Sequence, residues 1–117
     1  MTAAQARAAA EVLLPAFAAS DLATIERMAA PGAVVFGTDV GERWDERGAL
    51  LSSLDEMRAL GLRARWCGDV VGGEDWVAGT ARYETPDGEA LAVRVSLVFR
   101  DGLLAHGHFS LAAQPGE

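Results

Sequence analysis

Four runs of β-prone residues fill the second half of the chain, and they limit the possible fold more than any other feature. Each run is about ten residues long, at roughly 62–71, 75–85, 90–100 and 103–112, and short glycine-containing sequences separate them. Long strands joined by tight turns predict an antiparallel meander. A sheet of such strands twists and curls strongly, so one of its faces becomes concave.

The first half of the chain begins with a helical pattern. Residues 3–19 are rich in alanine, and helical spacing places four apolar residues on one stripe, namely Val12, Leu13, Ala16 and Phe17. Pro15 lacks a backbone N–H, so we expect a kink there or a helix that starts afresh. Ser20 and Asp21 then predict the start of a second helix, which should end at Pro31 and Gly32.

A strand and a third helix complete the first half. Residues 33–39 are β-prone and predict the first strand, and residues 40–44 a loop. Residues 46–60 predict a helix capped by Asp45 or Glu46, with an apolar face formed by Leu50, Leu51, Leu54, Met57 and Leu60. The pattern therefore predicts an α+β fold in which three N-terminal helices pack on the concave face of a strongly curved antiparallel sheet.

Length and charge exclude several classes of protein. A chain of 117 residues is expected to form one domain, here residues 1–117, with a core that needs no metal or disulfide. Seventeen acidic residues against ten arginines give a net charge of -7, which disfavours nucleic acid and anionic membranes as partners. A single cysteine, Cys67, and the lack of a signal-peptide pattern predict a cytoplasmic protein.

Both histidines of the chain lie on its last predicted strand. Because side chains alternate between the two faces of a strand, His106, His108 and Ser110 should share one face while Phe109 and Leu111 share the other. We expect the polar face to close over a small cavity. A histidine there could act as a general base or hold a polar group of a ligand. Two histidines without an assured third ligand are a weak metal signal, so we expect no metal and no cofactor.

The residues that face these histidines depend on the last turn. If Arg100, Asp101 and Gly102 form a type I turn with a glycine bulge, Ser96 lies across from His106 and Arg94 across from His108. If Asp101 and Gly102 form a two-residue type I′ turn, Leu97 and Val95 take these places instead. We favour the first arrangement because it gathers the polar groups together. Arg94 could then pair with an oxyanion of a ligand, or alternatively form a salt bridge across the sheet.

The acidic loop and the tryptophans have more than one interpretation. Asp39 could act as a base or orient a histidine, or cap the following loop. The acidic residues Asp39, Glu42, Asp45 and Glu46 match no calcium-loop spacing, and a solvated loop with a helix cap explains them. Trp44 and Trp76 could wall a small-molecule cavity, although core or dimer interface is the commoner role.

The order helix, helix, short strand, helix and four-strand meander resembles the nuclear-transport-factor-2-like superfamily, and in particular its SnoaL-like branch. The residues that carry the resemblance are Ser20 to Leu22, Phe36 to Asp39 with Glu42 and Trp44, Trp76 to Ala78, Arg94 to Phe99, and His106 to Ser110. The resemblance implies a cone-shaped cup with a pocket between sheet and helices. It also implies a homodimer through the convex face of the sheet.

The catalytic pattern of the ketosteroid isomerases in this superfamily is not reproduced. That pattern has an aspartate on the first strand and a tyrosine on the first helix, where this chain has Gly37 and Leu13, with Asp39 two residues along. Isomerase chemistry that uses those two groups is therefore not expected.

The resulting hypothesis is a cup that binds a small, mainly apolar molecule with a polar or anionic end. We expect the apolar part to contact Phe17, Leu54 and Met57, and the polar end to contact Arg94, Ser96, His106 and His108. Chemistry without a cofactor would be proton transfer, as in an isomerase, cyclase or hydratase. The alternative is a non-catalytic association module whose exposed sheet face, with Val98, Phe109 and Leu111, binds a second copy or a partner.

Overall fold

The computed structural model describes residues 1–112, which form one curved sheet with three helices on its concave side. The helices are α1 (Ala3–Ala19), α2 (Leu22–Met28) and α3 (Arg47–Met57), and a single 3-10 turn (Arg58–Leu60) follows α3. The strands are β1 (Ala29–Phe36), β2 (Arg43–Trp44), β3 (Arg63–Gly73), β4 (Trp76–Glu84), β5 (Ala90–Arg100) and β6 (Leu103–Leu111). The predicted α+β class is confirmed.

Helix α1 is continuous through Pro15, so the predicted restart at this residue is wrong. Pro15 is exposed, and the ring therefore meets solvent instead of a neighbouring element. A capping box between Thr2 and Gln5 fixes the start of the helix. Leu13 is fully buried as expected, whereas Val12 is 47% exposed and does not belong to the apolar stripe.

The junction between α2 and β1 differs from the prediction. Asp21 caps α2 by accepting a hydrogen bond from the Thr24 backbone N–H at 3.3 Å. The helix ends at Met28 and β1 begins at once, so Pro31 and Gly32 lie inside the strand and do not end the helix. Both residues lie between Ala29 and Val34, where the pairing of β1 with β6 is irregular. Proline has no backbone N–H, and at this irregular position that absence does not interrupt the hydrogen bonds between the two strands.

The sheet has six strands in the order β2-β1-β6-β5-β4-β3, and β1 runs parallel to β6. The expected meander, β3 to β6, is present and antiparallel, but the sheet as a whole is mixed. The reason is topological: after β2 and α3 the chain starts the meander at the far edge, and the last strand returns beside β1.

The concave face of the sheet packs on the helices. The rings of Phe17 on α1 and Phe109 on β6 lie 5.1 Å apart. On the other side of the core, the Trp66 indole N–H donates a hydrogen bond of 3.1 Å to the Ala10 carbonyl of α1. Gly79 lies on β4 two residues from Ala81, the partner of Trp66, and it leaves room for the indole, because a Cβ on Gly79 would lie 3.3 Å from that ring. No helix within residues 1–112 combines the length and apolar character needed to cross a membrane.

Candidate functional site

A cavity of about 180 Å³ lies between the concave face of the sheet and the helices, and it is open at one end. Strands β4, β5 and β6 form its floor through alternate residues, and helices α1 and α3 form its roof. Its apolar walls come from Phe17, Ala18, Val35, Trp44, Leu50, Leu54, Met57, Leu62, Leu91, Val93, Phe109 and Leu111. Leu91 and Leu111 are each 54% exposed and mark the open end.

Few polar groups reach this cavity. They are Thr38, Glu42, Tyr83 and Thr85. Among the described residues, Glu42 is the only charged side chain on the wall. Glu42 follows the end of β1 and Tyr83 lies on β4, three strands further along the sheet order. The two groups therefore reach the cavity from different parts of the curved sheet.

The Glu42 carboxylate is held in a defined place. Its Oε1 accepts a hydrogen bond of 2.7 Å from the Asp39 backbone N–H. The Gly37 backbone N–H donates to the Glu42 carbonyl at 2.9 Å, which closes the loop. A Cβ on Gly37 would lie 2.9 Å from both Cβ and Oε1 of Glu42. The carboxyl group of Glu42 thus occupies the space that a side chain at position 37 would fill.

Burial controls the charge state of Tyr83. Removal from water raises the pKa of the Tyr83 phenol above its ordinary value, because the phenolate would lose its solvation. The phenol therefore stays neutral through the physiological pH range. A neutral phenol can donate a hydrogen bond to an acceptor in the cavity.

The histidines lie on the other face of the sheet. The rings of His106 and His108 each pack 5.6 Å from the Phe36 ring, and the Arg43 guanidinium lies 5.2 Å above Phe36. Phe109 and Gly107 occupy the core face of β6 instead. The prediction that both imidazoles face the cavity is therefore wrong. The buried contacts of Phe109 decide which face of β6 turns toward the helices, and the polar face is left outside.

Arg94 and Ser96 share the convex face with the histidines, but in a register that neither turn model predicts. Asp101 and Gly102 form a two-residue turn with φ angles of 54° and 80°, so the favoured bulged turn is wrong. A one-residue irregularity between Val98 and Phe99 then shifts the pairing. As a result, Ser96 pairs with His108, and Arg94 pairs with Ser110. With Thr80 and Asp69 they line a shallow groove on the convex face.

The other predicted site residues divide between the two faces. Phe17, Trp44, Leu54 and Met57 lie along the cavity, as expected for a ligand site, and their role in binding stays a prediction. Trp76 pairs with Val98 on the convex face and is 43% exposed, so it does not wall the cavity. Asp39 is exposed in the β1–β2 loop and contributes its backbone N–H. Phe109 and Leu111, expected on an exposed association face, belong to the cavity side.

Sequence reasoning missed Glu42 and Tyr83 as cavity residues. The acidic residues around Glu42 predict a solvated loop, and the only signal that distinguishes Glu42 from them is the glycine five positions earlier. Tyr83 had a readable signal, because it alternates with Ala81 on the apolar side of β4. Within residues 1–112, no three His, Cys, Asp or Glu side chains group closely enough to hold a metal ion.

The position of the histidines leads to a direct test. We expect the double variant His106→Ala, His108→Ala to bind cavity ligands within about twofold of the unchanged protein, because neither ring touches the cavity wall. Ligand titration followed by NMR at Phe17 and Phe109 would measure this. A loss of cavity binding in a folded double variant would contradict the assignment of the cavity as the site.

Comparisons with known proteins agree with this architecture. No protein-family model matches the chain, and no curated protein matches it. Solved structures do match. One is a proposed isomerase of the SnoaL-like family from Agrobacterium tumefaciens str. C58, with a TM-score of 0.79 and 14% sequence identity. This match covers 94% of the present chain and 99% of the isomerase chain. A proposed ketosteroid isomerase from Kribbella flavida DSM 17836 has a TM-score of 0.81 at 18% identity, covering 98% and 84%.

A third match is a proposed polyketide cyclase from Sinorhizobium meliloti, with a TM-score of 0.72 at 20% identity, covering 87% of this chain and 93% of that one. Sequence identities this low support a shared fold and do not support a shared activity. In each of these comparisons most of both chains takes part, so the likeness is not confined to one motif. The protein therefore has the SnoaL-like, nuclear-transport-factor-2-like fold.

Proposed function

We propose that the protein binds a small, mainly apolar organic molecule in the concave cavity and moves a proton on it without a cofactor. The observation that carries this proposal is Glu42, the one carboxylate that the described residues place on a mainly apolar wall. An apolar pocket with a few convergent polar groups is the usual form of a small-molecule site. Glu42 and Tyr83 are complementary in chemistry, since one accepts a proton and the other donates a hydrogen bond.

The geometry of Glu42 suits a general base. One of its oxygens, Oε1, is engaged by the Asp39 N–H, which orients the carboxyl group. We assign proton removal to Oε2. A positioned carboxylate of this kind contributes about 10²–10⁴-fold to a proton-transfer step.

The step that fits these two groups is proton transfer at a carbon beside a carbonyl. Glu42 takes the proton from the carbon, the electron pair of the broken C–H bond moves onto the carbonyl oxygen, and the Tyr83 O–H donates a hydrogen bond to that oxygen. Return of the same proton to another carbon of the conjugated system completes an isomerisation. No atom is gained or lost, and no oxidant or reductant is needed.

The names of the matched structures support this choice of chemistry. Two of them are described as isomerases and one as a polyketide cyclase. The aspartate of the ketosteroid isomerase pattern is replaced here by Gly37, and the Glu42 carboxyl group fills the space beside that glycine. We propose that Glu42 supplies from the loop the carboxylate that the strand lacks.

A small ketone tests the proposal. With 3-cyclohexen-1-one, conversion to the conjugated 2-cyclohexen-1-one can be followed by its ultraviolet absorbance, and binding by NMR shifts at Phe17, Tyr83 and Phe109. We expect saturable turnover and shifts confined to the cavity. NMR shifts at the cavity without turnover would support binding and contradict the proposed catalysis. NMR shifts on the convex face alone would contradict both binding in the cavity and catalysis.

The rival hypothesis is an association module, and one observation bears on it. A cone filled by side chains would favour association, whereas an open cavity favours binding, and the cone here contains an open cavity. The convex face nevertheless exposes large apolar residues, with Val98 at 41% and Trp76 at 43% side by side. We propose that a second copy of the chain packs on this face, in addition to the ligand in the cavity.

Replacement of an exposed apolar residue on the convex face tests the proposed dimer. We expect Val98→Arg to convert a dimer into a monomer, because an arginine from each copy would be buried in the proposed interface without a partner charge. Light scattering after size-exclusion chromatography gives the mass, and Leu91→Arg, on the other face, serves as the matched control. The dimer proposal is wrong if the unchanged protein is monomeric at all concentrations, or if both variants stay dimeric.

A further inference from the structure

The cavity that carries the proposed function also limits what can enter it. Two properties matter, its volume and the sign of its charge. Both can be read from the described residues. The inference rests on the proposed function, because it concerns the occupant of the same site.

The volume restricts the size of the occupant. A cavity of roughly 150 Å³ holds one benzene ring, and pockets for drug-sized molecules begin at roughly 300 Å³. The cavity here is about 180 Å³, which lies near the lower value. One ring with a short substituent matches this space. The four fused rings of a steroid do not.

The close-packed walls keep the volume small. Phe109 on the floor packs against Phe17 of the α1 roof, with ring centroids 5.1 Å apart, and both residues are buried. Leu54 of α3 lines the roof of the cavity and is also buried. Side chains packed at this density give way little to a larger guest. Any further ring would have to remain in solvent beyond Leu91 and Leu111.

The charge restricts the chemistry of the occupant. Glu42 places a negative charge on the wall, and among the described lining residues no arginine or histidine balances it. Arg94, His106 and His108 lie on the opposite face of the sheet. A carboxylate in the cavity would therefore meet a like charge and no partner. The expected anionic end of the ligand has no counterpart in this cavity.

We infer that the natural ligand is a neutral, single-ring carbonyl compound, and that Glu42 excludes anions of the same size. The Tyr83 O–H can donate a hydrogen bond to the carbonyl oxygen of such a compound. A neutral carbonyl compound, unlike an ammonium ion, also leaves the Glu42 carboxylate unpaired and able to take the proton as proposed. The site is thus selective by volume at Leu54 and by charge at Glu42.

Four probes test the size and charge limits in the full chain. Acetophenone is neutral with one ring, phenylacetate has the same ring and a negative charge, 2-tetralone has two rings, and progesterone has four. NMR titration gives the dissociation constants. We expect acetophenone to bind at least tenfold more tightly than progesterone and about thirtyfold more tightly than phenylacetate.

Variants assign each limit to a residue. Glu42→Gln should bring phenylacetate to within about threefold of acetophenone, while Asp39→Asn, a carboxylate of the same loop that does not line the cavity, should leave the ratio unchanged. Leu54→Ala should raise the affinity for 2-tetralone relative to acetophenone at least threefold. Leu51→Ala on the same helix, away from the cavity lining, is the matched control. Thermal melts confirm that each variant is folded.

The outcomes separate this inference from the proposed function. If progesterone or phenylacetate binds in the cavity as tightly as acetophenone, the size or charge limit is wrong while the cavity remains a binding site. If the ratios do not respond to Glu42→Gln or Leu54→Ala, selectivity does not come from these residues. If none of the four probes shifts a cavity residue, both the inference and the proposed function fall.

Discussion

Glu42→Gln is expected to lower the rate of 3-cyclohexen-1-one isomerisation by about 10²–10⁴-fold while leaving the affinity for the ketone nearly unchanged. The substitution keeps the shape of the side chain and an oxygen that can accept the Asp39 N–H, so the loop should stay in place. It removes the group that can accept a proton from carbon. The measurement is the initial rate of the ultraviolet change, with binding followed separately by NMR.

Asp39→Asn is the matched control for this prediction. Asp39 belongs to the same loop, carries the same charge and is exposed, and its contribution to the site is a backbone N–H that the substitution preserves. We expect its rate to stay within about twofold of the unchanged protein. A full rate in Glu42→Gln, or an equal loss in both variants, would show that Glu42 is not the base.

Leu13→Ala is expected to cost about 2–5 kcal/mol in the free energy of unfolding, the largest effect on stability that we predict. Leu13 is 0% exposed in the middle of α1 and belongs to the main core cluster. Its truncation removes apolar contacts and leaves a void that the neighbouring side chains fill only in part. Urea unfolding monitored by circular dichroism gives the free-energy difference.

Val12→Ala provides the comparison at the neighbouring position. Val12 is 47% exposed and contacts the core little, so the substitution should change stability by no more than about 0.5 kcal/mol. The pair therefore tests which residues of α1 face the sheet. Equal costs at both positions would mean that the helix is rotated relative to the arrangement described for residues 3–19.

Much of the fold could be predicted from the sequence because its signals are local. The glycine-containing sequences of the second half lie within a few residues of the turns at Asp75, Gly88 and Gly102 that separate the strands of the meander. Gly61 closes the segment after α3 with a positive φ of 64°. The apolar spacing of Leu50, Leu54 and Met57 likewise identifies α3. Each of these patterns depends on neighbours a few positions away in the chain.

The candidate site was less predictable because it depends on contacts between distant segments. The cavity includes Phe17 from α1, Glu42 from the loop after β1 and Tyr83 from β4, and no local pattern connects them. Of the polar residues expected there, Arg94, Ser96, His106 and His108 lie on the convex face. Phe17, Leu54 and Met57 do line the cavity, because helical spacing turns them toward the sheet, and their contact with a ligand stays a prediction.

What the sequence by itself determined was the alternation on β6: two histidines on one side of the strand, glycine and Phe109 on the other. Only the tertiary structure decided which side turns inward, because that choice depends on the helices that cover the sheet. They bury Phe109 against Phe17, and the free energy of that apolar burial exceeds any gain from enclosing the imidazoles. The Glu42 carboxyl group reaches the space beside Gly37 through a local loop, but only the curvature of the sheet brings Tyr83, from β4, to the same cavity.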